Sequence, residues 1–311
     1  MKVLRGPLAT WEPQTLPTAV TVGVFDGVHL GHRTLIDRLQ TTGYVPTVLT
    51  FDPHPAEVLS PGTHPRLITT IDERLDLFAG AGVELVGVVD LAEIRHLRPE
   101  EFVSQVLERR LAMKAMVMGT DFHFGKDRSG DVGFLRSAGV LQGFKVDVVE
   151  LQTVDGIVSS SGIRALIEVG DVSVAAVLLG SRYRLSNVVI DGDKRGREIG
   201  FPTANLEPPE RKVIPGHGVY AAFALLRGRR YQAAVNVGVR PTFGLSDLVV
   251  EAYLLDFNDD CYGETMALEF VERLRPERRF EEVSELVEQM SADVEMVRDL
   301  LDGAGAGHRN V

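Results

Sequence analysis

Cysteine is almost missing from this sequence: Cys261 is the single copy in 311 residues. A disulfide within the chain is therefore excluded, and so is a zinc site built on cysteines. No run of 18 or more apolar residues occurs, which excludes an ordinary membrane-spanning helix. Met1 to Gln14 carries Lys2 and Arg5 but no apolar stretch, so no secretory signal is expected and the cytoplasm is the expected compartment. Positive charge is in deficit, with 33 Lys and Arg against 44 Asp and Glu and a formal net charge of −11. That balance speaks against non-specific binding to nucleic acid or to an anionic membrane. It leaves anionic small ligands open, since these need only local basic residues. A homo-oligomer also stays open.

The length exceeds what one ordinary core accommodates, and 44% apolar with 25% charged residues is ordinary for a globular chain. In the first half, strand-like runs at Ala19 to Phe25, Thr47 to Phe51, Val83 to Val89, Ala115 to Met118 and Val146 to Glu150 alternate with helical patterns. These include His32 to Gln40, a stretch through Leu75, Leu77 and Phe78, and Pro99 to Leu111. Apolar strands alternating with helices predict a parallel sheet covered on both faces, with ligands at the carboxyl ends of its strands. After about Gly180 short strands dominate, at Gly218 to Leu226, Tyr231 to Val237, Val249 to Leu255 and Thr265 to Phe270. They predict a small antiparallel barrel, closed by a helix whose apolar stripe runs from Val283 to Leu301. The expected domains are 1–180 and 181–303, followed by a tail over 304–311.

Two constellations carry chemistry. In the first, Gly23-Val24-Phe25-Asp26-Gly27-Val28-His29-Leu30-Gly31-His32 leads from the first strand into the first helix. A helix start presents unpaired N–H groups and attracts phosphate, and Gly31 leaves room for a nucleotide to approach. His29 and His32, three apart, can face one phosphate and stabilise charge developing there. A plain surface turn is the bland alternative, and no matching third ligand supports a metal pair. His54, in Phe51-Asp52-Pro53-His54-Pro55, either lines the same edge or stiffens a loop. Ser159-Ser160-Ser161-Gly162-Ile163-Arg164 either caps a helix or clamps a pyrophosphate through the Arg164 guanidinium. Gly119 to Asp131, with Asp121 and two cations, is glycine-rich but lacks Walker A spacing.

In the second, Gly192-Asp193-Lys194-Arg195-Gly196-Arg197-Glu198-Ile199-Gly200-Phe201-Pro202-Thr203-Ala204-Asn205 is dense in glycine and cations. It reads as an anion nest or as a basic hairpin before a proline turn. Thr203 and Asn205 share a side of an extended segment, and their oxygens suit a hard cation such as Mg²⁺. Asn236-Val237-Gly238-Val239-Arg240-Pro241-Thr242-Phe243 forms a further loop. Glu251 is either an exposed strand residue or a base beside a bound hydroxyl.

Taken in order, the histidine turn, Phe-Asp-Pro-His-Pro, the Gly-x-Asp-Phe-x-Phe-Gly loop and Ser-Ser-x-x-Ile-Arg resemble the nucleotidylyltransferase module of bacterial bifunctional FAD synthetases. Gly-Phe-Pro-Thr-Ala-Asn, Asn-Val-Gly-x-Arg-Pro-Thr-Phe, Glu251 and Tyr262-Gly263 resemble that family's riboflavin kinase module. The resemblance spans Val20 to Phe280. It implies a Rossmann-like α/β module joined to a six-stranded antiparallel β-barrel with a terminal helix, and a transferase that converts riboflavin to FMN and FMN to FAD. ATP is the implied co-substrate in both steps, with Mg²⁺ held at Thr203 and Asn205. It further implies that His29, His32 and Arg164 act on ATP phosphates, with Gly23, Phe25, Asp26, Gly31, Asp121, Ser160 and Ser161 around them. In the kinase half it implies Glu251 as general base, and nucleotide or flavin contacts at Gly192, Lys194, Gly196, Gly200, Pro202, Thr203, Asn205, Asn236 and Arg240. Departures stand at Ser161, where the family usually has Thr, at Asn187 in place of Gly, and at Asp191 and Tyr253 in place of His. Those three barrel departures are the one support for an alternative in which one module is silent and only binds flavin or regulates. A nucleotidylyltransferase acting on another phosphate ester is a third reading.

Overall fold

The computed structural model describes the chain outside residues 151–157, 192–195, 197–198, 208, 243–244 and 306–311. It divides into two compact units, Met1–Ser160 and Ser161–Val311.

The first unit is built on six parallel strands: β1 Lys2–Leu4, β2 Thr18–Val22, β3 Val45–Phe51, β4 Leu85–Val89, β5 Met113–Gly119 and β6 Lys145–Val149. Their order is β1-β4-β3-β2-β5-β6. Period-2 alternation sends Ala19, Val48, Val86, Ala115 and Val117 into one core, where α1 (Leu30–Gln40) contributes Leu35, Ile36 and Leu39 and α3 (Ile71–Gly80) contributes Phe78. Val20, Val22, Leu49, Met116 and Met118 enter the other core with Phe102, Val106 and Leu107, and with Leu135 of α6 (Val132–Gln142). Short helices α2 (Pro55–Leu59) and α4 (Leu91–Ile94) fill the connections. Both faces are covered, as the alternation of strands and helices predicts.

Three expectations need adjustment. The first strand stops at Val22, because residues 23–28 leave the sheet and Phe25 and Val28 take left-handed backbone angles of φ 55° and 41°. The helix expected over Pro99 to Leu111 is a short α5 (Pro99–Glu101) that runs into a wider π-helix over Phe102–Glu108. The terminal helix continues through Gly305, beyond the start expected for the tail.

The second unit opens with α7 (Ser160–Val169) and α8 (Val172–Leu179). A closed barrel follows, β7 Arg184–Ile190, β8 Ala204–Leu206, β9 Gly218–Leu226, β10 Arg229–Thr242, β11 Leu245–Leu254 and β12 Thr265–Arg275, in the order β10-β11-β8-β7-β12-β9. The compact units separate ahead of the boundary expected near Ser181, because α7 is bonded to barrel segments and α8 packs on β12. Gly216 N–H donates to the Ile167 carbonyl at 3.0 Å and Arg273 Nη1 to that of Val169 at 3.3 Å. Val235, Val237, Val250, Ala252, Met266, Leu268 and Phe270 fill the interior. Outside, Ala221, Phe223 and Leu255 meet Val297 and Leu301 of α9 (Val283–Gly305).

One ion pair pins α9 to the end of β12. Arg275 donates from Nε to Asp293 Oδ1 at 2.9 Å and from Nη2 to Oδ2 at 2.7 Å, and Gln289 Nε2 adds a bond at 3.0 Å. Asp293 is buried, so removing its carboxylate strands a guanidinium in a half-dry site. Asp293→Ala should destabilise the barrel unit by about 3 kcal/mol. Urea unfolding checks this, and an unshifted midpoint would show that the apolar contacts of α9 suffice.

Candidate active sites

In the first unit the chain passes from β2 through β3 to β4 on one side, then returns to place β5 and β6 on the other. The strand order reverses at β2 and β5, the point at which open α/β sheets bind ligands beyond the carboxyl ends of their strands. The loops that follow β2, β3 and β5 carry the histidine turn, His54 and Asp121.

His29 is the N-cap of α1, and its Nδ1 accepts from the His32 N–H at 3.4 Å. In the neutral ring the proton therefore sits on Nε2. The His29 and His32 rings stack with centroids 3.6 Å apart and planes 16° apart, and Phe25 sets its ring edgewise at 4.9 Å from His32. Burial pulls the His29 pKa down to about 4 against the opposing charge of Asp26. His32 is held well below the ordinary value by burial, then by His29 and Arg74. Both rings are thus uncharged donors at neutral pH. His32 Nδ1 is buried without a hydrogen-bond partner among the described residues, an uncommon state for a buried polar atom.

The turn is held from below. Asp26 is buried, and its carboxylate accepts from the N–H groups of Ile68 (3.0 Å) and Thr69 (2.9 Å) and from the Thr69 hydroxyl (3.1 Å). Asp26 is therefore turned into the protein, where it anchors the loop. Arg74, also buried, donates to the Val24 carbonyl at 2.6 Å and the Phe51 carbonyl at 3.4 Å, tying the loop after β2 to the one after β3. Sequence reading passed over Arg74; an arginine on the inner face of an amphipathic helix is the signal that would have found it. Gly31 serves the histidine directly: a Cβ there would lie 3.3 Å from His29 Cε1 and Nδ1. One at Gly23 would press on the Phe25 ring at 3.1 Å. His54 caps α2, accepting from Ala56 N–H at 3.1 Å. Asp121 is exposed, and its carbonyl lies 2.8 Å from His123 Nδ1. The Ser160 hydroxyl donates to the Asp26 carbonyl at 2.9 Å. Ser161 and Arg164 follow in the first turns of α7, in the second unit.

In the barrel, register decides what meets. Glu251 on β11 is paired with Asn205 on β8 and with Asn236 on β10. The three polar residues form a row across three strands on one face of the wall. Ala204 and Ala252, one residue along, line a cleft of about 390 Å³ together with Gly196, Pro202, Thr203 and Tyr262. Gly196 is required by a tight turn, since a Cβ would lie 2.2 Å from the Phe201 carbonyl oxygen, and Gly200 sits at φ 88°. Gly192 and Lys194 lie outside the described residues, as does the side chain of Arg240 on β10. The departures at Asn187 and Tyr253 have structural partners. Asn187 Nδ2 donates to the Glu207 carbonyl at 2.9 Å, and the Tyr253 ring packs edgewise on Phe201 at 5.3 Å. Among the described residues no group of three His, Cys, Asp or Glu could hold a metal ion.

Comparison with known proteins follows the same division. A family model for FAD synthetase matches residues 12–162, and one for riboflavin kinase matches 179–301. The chain is 35% identical, over 99% of its length, to the whole of a bifunctional riboflavin kinase/FMN adenylyltransferase from Pseudomonas fluorescens. The chain belongs to this family. A Bacillus subtilis protein of the same name is 36% identical over 89% of this chain and 90% of its own. A crystal structure described as a macrolide-efflux protein from Streptococcus pneumoniae has the same fold, with a TM-score of 0.87 and 31% identity over 94% of this chain and 96% of that one. Efflux is said of that protein alone; among the described residues here, no helix is long and apolar enough to cross a membrane.

The buried histidines predict a pH dependence of stability. The folded pKa of His29, about 4, lies below the ordinary 6.5 that the unfolded chain regains. Its contribution is complete above about pH 6.5 and is lost as pH falls towards 4, because the unfolded chain binds the proton first. The loss amounts to about 3 kcal/mol. Thermal melts from pH 7 to 4 should show a smaller decline for His29→Asn, which keeps a capping acceptor, than for the parent chain. Parallel curves would assign the ring an ordinary pKa.

Proposed function

We propose that the barrel phosphorylates riboflavin with ATP to give FMN, and that the α/β unit joins FMN to AMP from a second ATP, giving FAD and pyrophosphate. The observation that carries this reading is the succession of the two family matches, FAD synthetase over 12–162 with the histidine turn and riboflavin kinase over 179–301 with Thr203, Asn205 and Glu251. The functional boundary is taken at 180/181, close to where the kinase match begins.

In the kinase step the 5′-hydroxyl oxygen of riboflavin attacks the γ-phosphorus, the bond to the ADP oxygen breaks, and the hydroxyl proton passes to Glu251. The neutral amides of Asn205 and Asn236 in register beside Glu251 support this role, since they add no like charge. Mg²⁺ fits the hard oxygens of Thr203 and Asn205, and when bound with ATP it offsets phosphate charge. Gly196, Gly200 and Pro202 shape the approach, with Gly192, Lys194 and Arg240 as further contacts implied by family likeness. In the adenylyl step an FMN phosphate oxygen attacks the α-phosphorus and pyrophosphate leaves. His29 and His32 donate to phosphate oxygens from a helix start, where uncharged imidazoles are ready to gain charge as it develops. Family likeness implies triphosphate contacts at Ser160, Ser161 and Arg164, and a nucleotide contact at Asp121 on the loop after β5. The reading includes a cytoplasmic location and small-molecule partners, without nucleic acid or membrane.

Riboflavin, ATP and Mg²⁺ incubated with the purified protein should yield FAD by chromatography, as should FMN and ATP. His29→Ala should cost adenylyl transfer about 3 kcal/mol while FMN formation survives. Glu251→Gln should slow FMN formation roughly 10²-fold while supplied FMN still becomes FAD. Product from neither mixture would reject the proposal, and joint loss in either variant with the fold intact would reject the assignment of sites.

A further inference from the structure

Six consecutive residues of the β11–β12 connection, Phe257 to Tyr262, line the barrel cleft. A loop supplying so much of a wall must be held: besides the backbone bond from Gly263 N–H to the Val189 carbonyl, a side chain from a different hairpin bonds it at several points. Arg227 Nε donates to both carboxylate oxygens of Glu264, at 3.1 and 3.0 Å. Its Nη1 reaches Asp259 Oδ2, and its Nη2 donates to the Asp260 carbonyl and to Glu264 Oε1 at 2.5 Å each. A planar guanidinium thereby engages three residues of the loop, which a point charge could not do.

The backbone at Arg227 strengthens the case. Leu226 pairs with Arg229, so Arg227 and Gly228 form a two-residue hairpin turn, with φ of 52° and 71°. Left-handed positions of this kind favour Asn, Asp or Gly. An arginine stands there at a backbone cost, and its side chain is what the position gains. The other end of the connection is tied separately, with Arg298 of α9 donating to Asp256 at 2.8 and 3.1 Å.

We infer that Arg227 is a positioning residue of the kinase site, holding the Phe257–Tyr262 wall against bound ATP from outside the cleft. This rests on the kinase reading of the barrel, and ATP is the substrate concerned because Gly196, Pro202 and Thr203 line the same cleft.

The molecule carries its own reporter. Cys261 is the one thiol in the chain, it is buried in this wall, and burial pushes its pKa up, so it should react slowly. Arg227→Asn removes the tether while supplying a residue the turn prefers. Expected are labelling of Cys261 by an uncharged thiol reagent accelerated about tenfold, a KM for ATP in FMN formation raised about tenfold with a smaller change in kcat, and unaltered conversion of FMN to FAD. Arg227→Lys should fall between the two. In an enzyme that makes FMN, unchanged labelling and KM would overturn the assignment, as would faster labelling with unchanged KM. A parent protein that makes no FMN from riboflavin would instead remove the kinase reading itself, and the inference with it.

Discussion

Strand register is the constraint on which both proposed sites depend. In the α/β unit parallel pairing brings the carboxyl ends of β3, β2 and β5 side by side, so three loops distant in sequence share one edge. In the barrel antiparallel pairing sets Asn205, Glu251 and Asn236 in one row, although they come from three strands. A slip of one residue would turn that row to the opposite face of the wall and bring apolar residues in its place. The apolar residues that fix the register, such as Val235, Val250 and Ala252, alternate with the polar ones and are buried in the barrel interior.

Burial then sets the charge state of the groups so placed. The histidine pair is neutral because it is dry, and it stays stacked because neither ring carries charge to repel the other. Its frame is ionic: Asp26 and Arg74, both buried, spend their hydrogen bonds on backbone groups of the neighbouring loops. Such a frame lets Phe25 and Val28 persist in left-handed conformations that a looser loop would abandon. The barrel uses arginine differently. Arg227 and Arg298 tie the β11–β12 connection to the β9–β10 turn and to α9, and Arg275 ties the end of β12 to α9.

Much of this was legible without coordinates. The alternation of apolar strands with helices, the change of texture after Gly180 and the stripe on α9 are local patterns, and local patterns survive tertiary packing well. The histidine spacing also read correctly as a helix start. Other features were not legible. The inward turn of Asp26 and the bond from Arg74 to the Val24 carbonyl depend on neighbours 40 or more residues away, and the role of Gly31 depends on how the His29 ring folds back over it. Asn187 and Tyr253, departures by family pattern, acquire a reason only once Glu207 and Phe201 are found beside them.

By itself the sequence determined the fold class and the family, because periodicity, glycine placement and motif order are carried by the chain, and it carries the motifs from which the two sites are proposed. Tertiary structure alone decided which groups are neutral, which carboxylates anchor and which face outward, and where the α7–α8 segment packs. Those outcomes depend on desolvation and on pairing between residues far apart in sequence, and neither is encoded in any one segment.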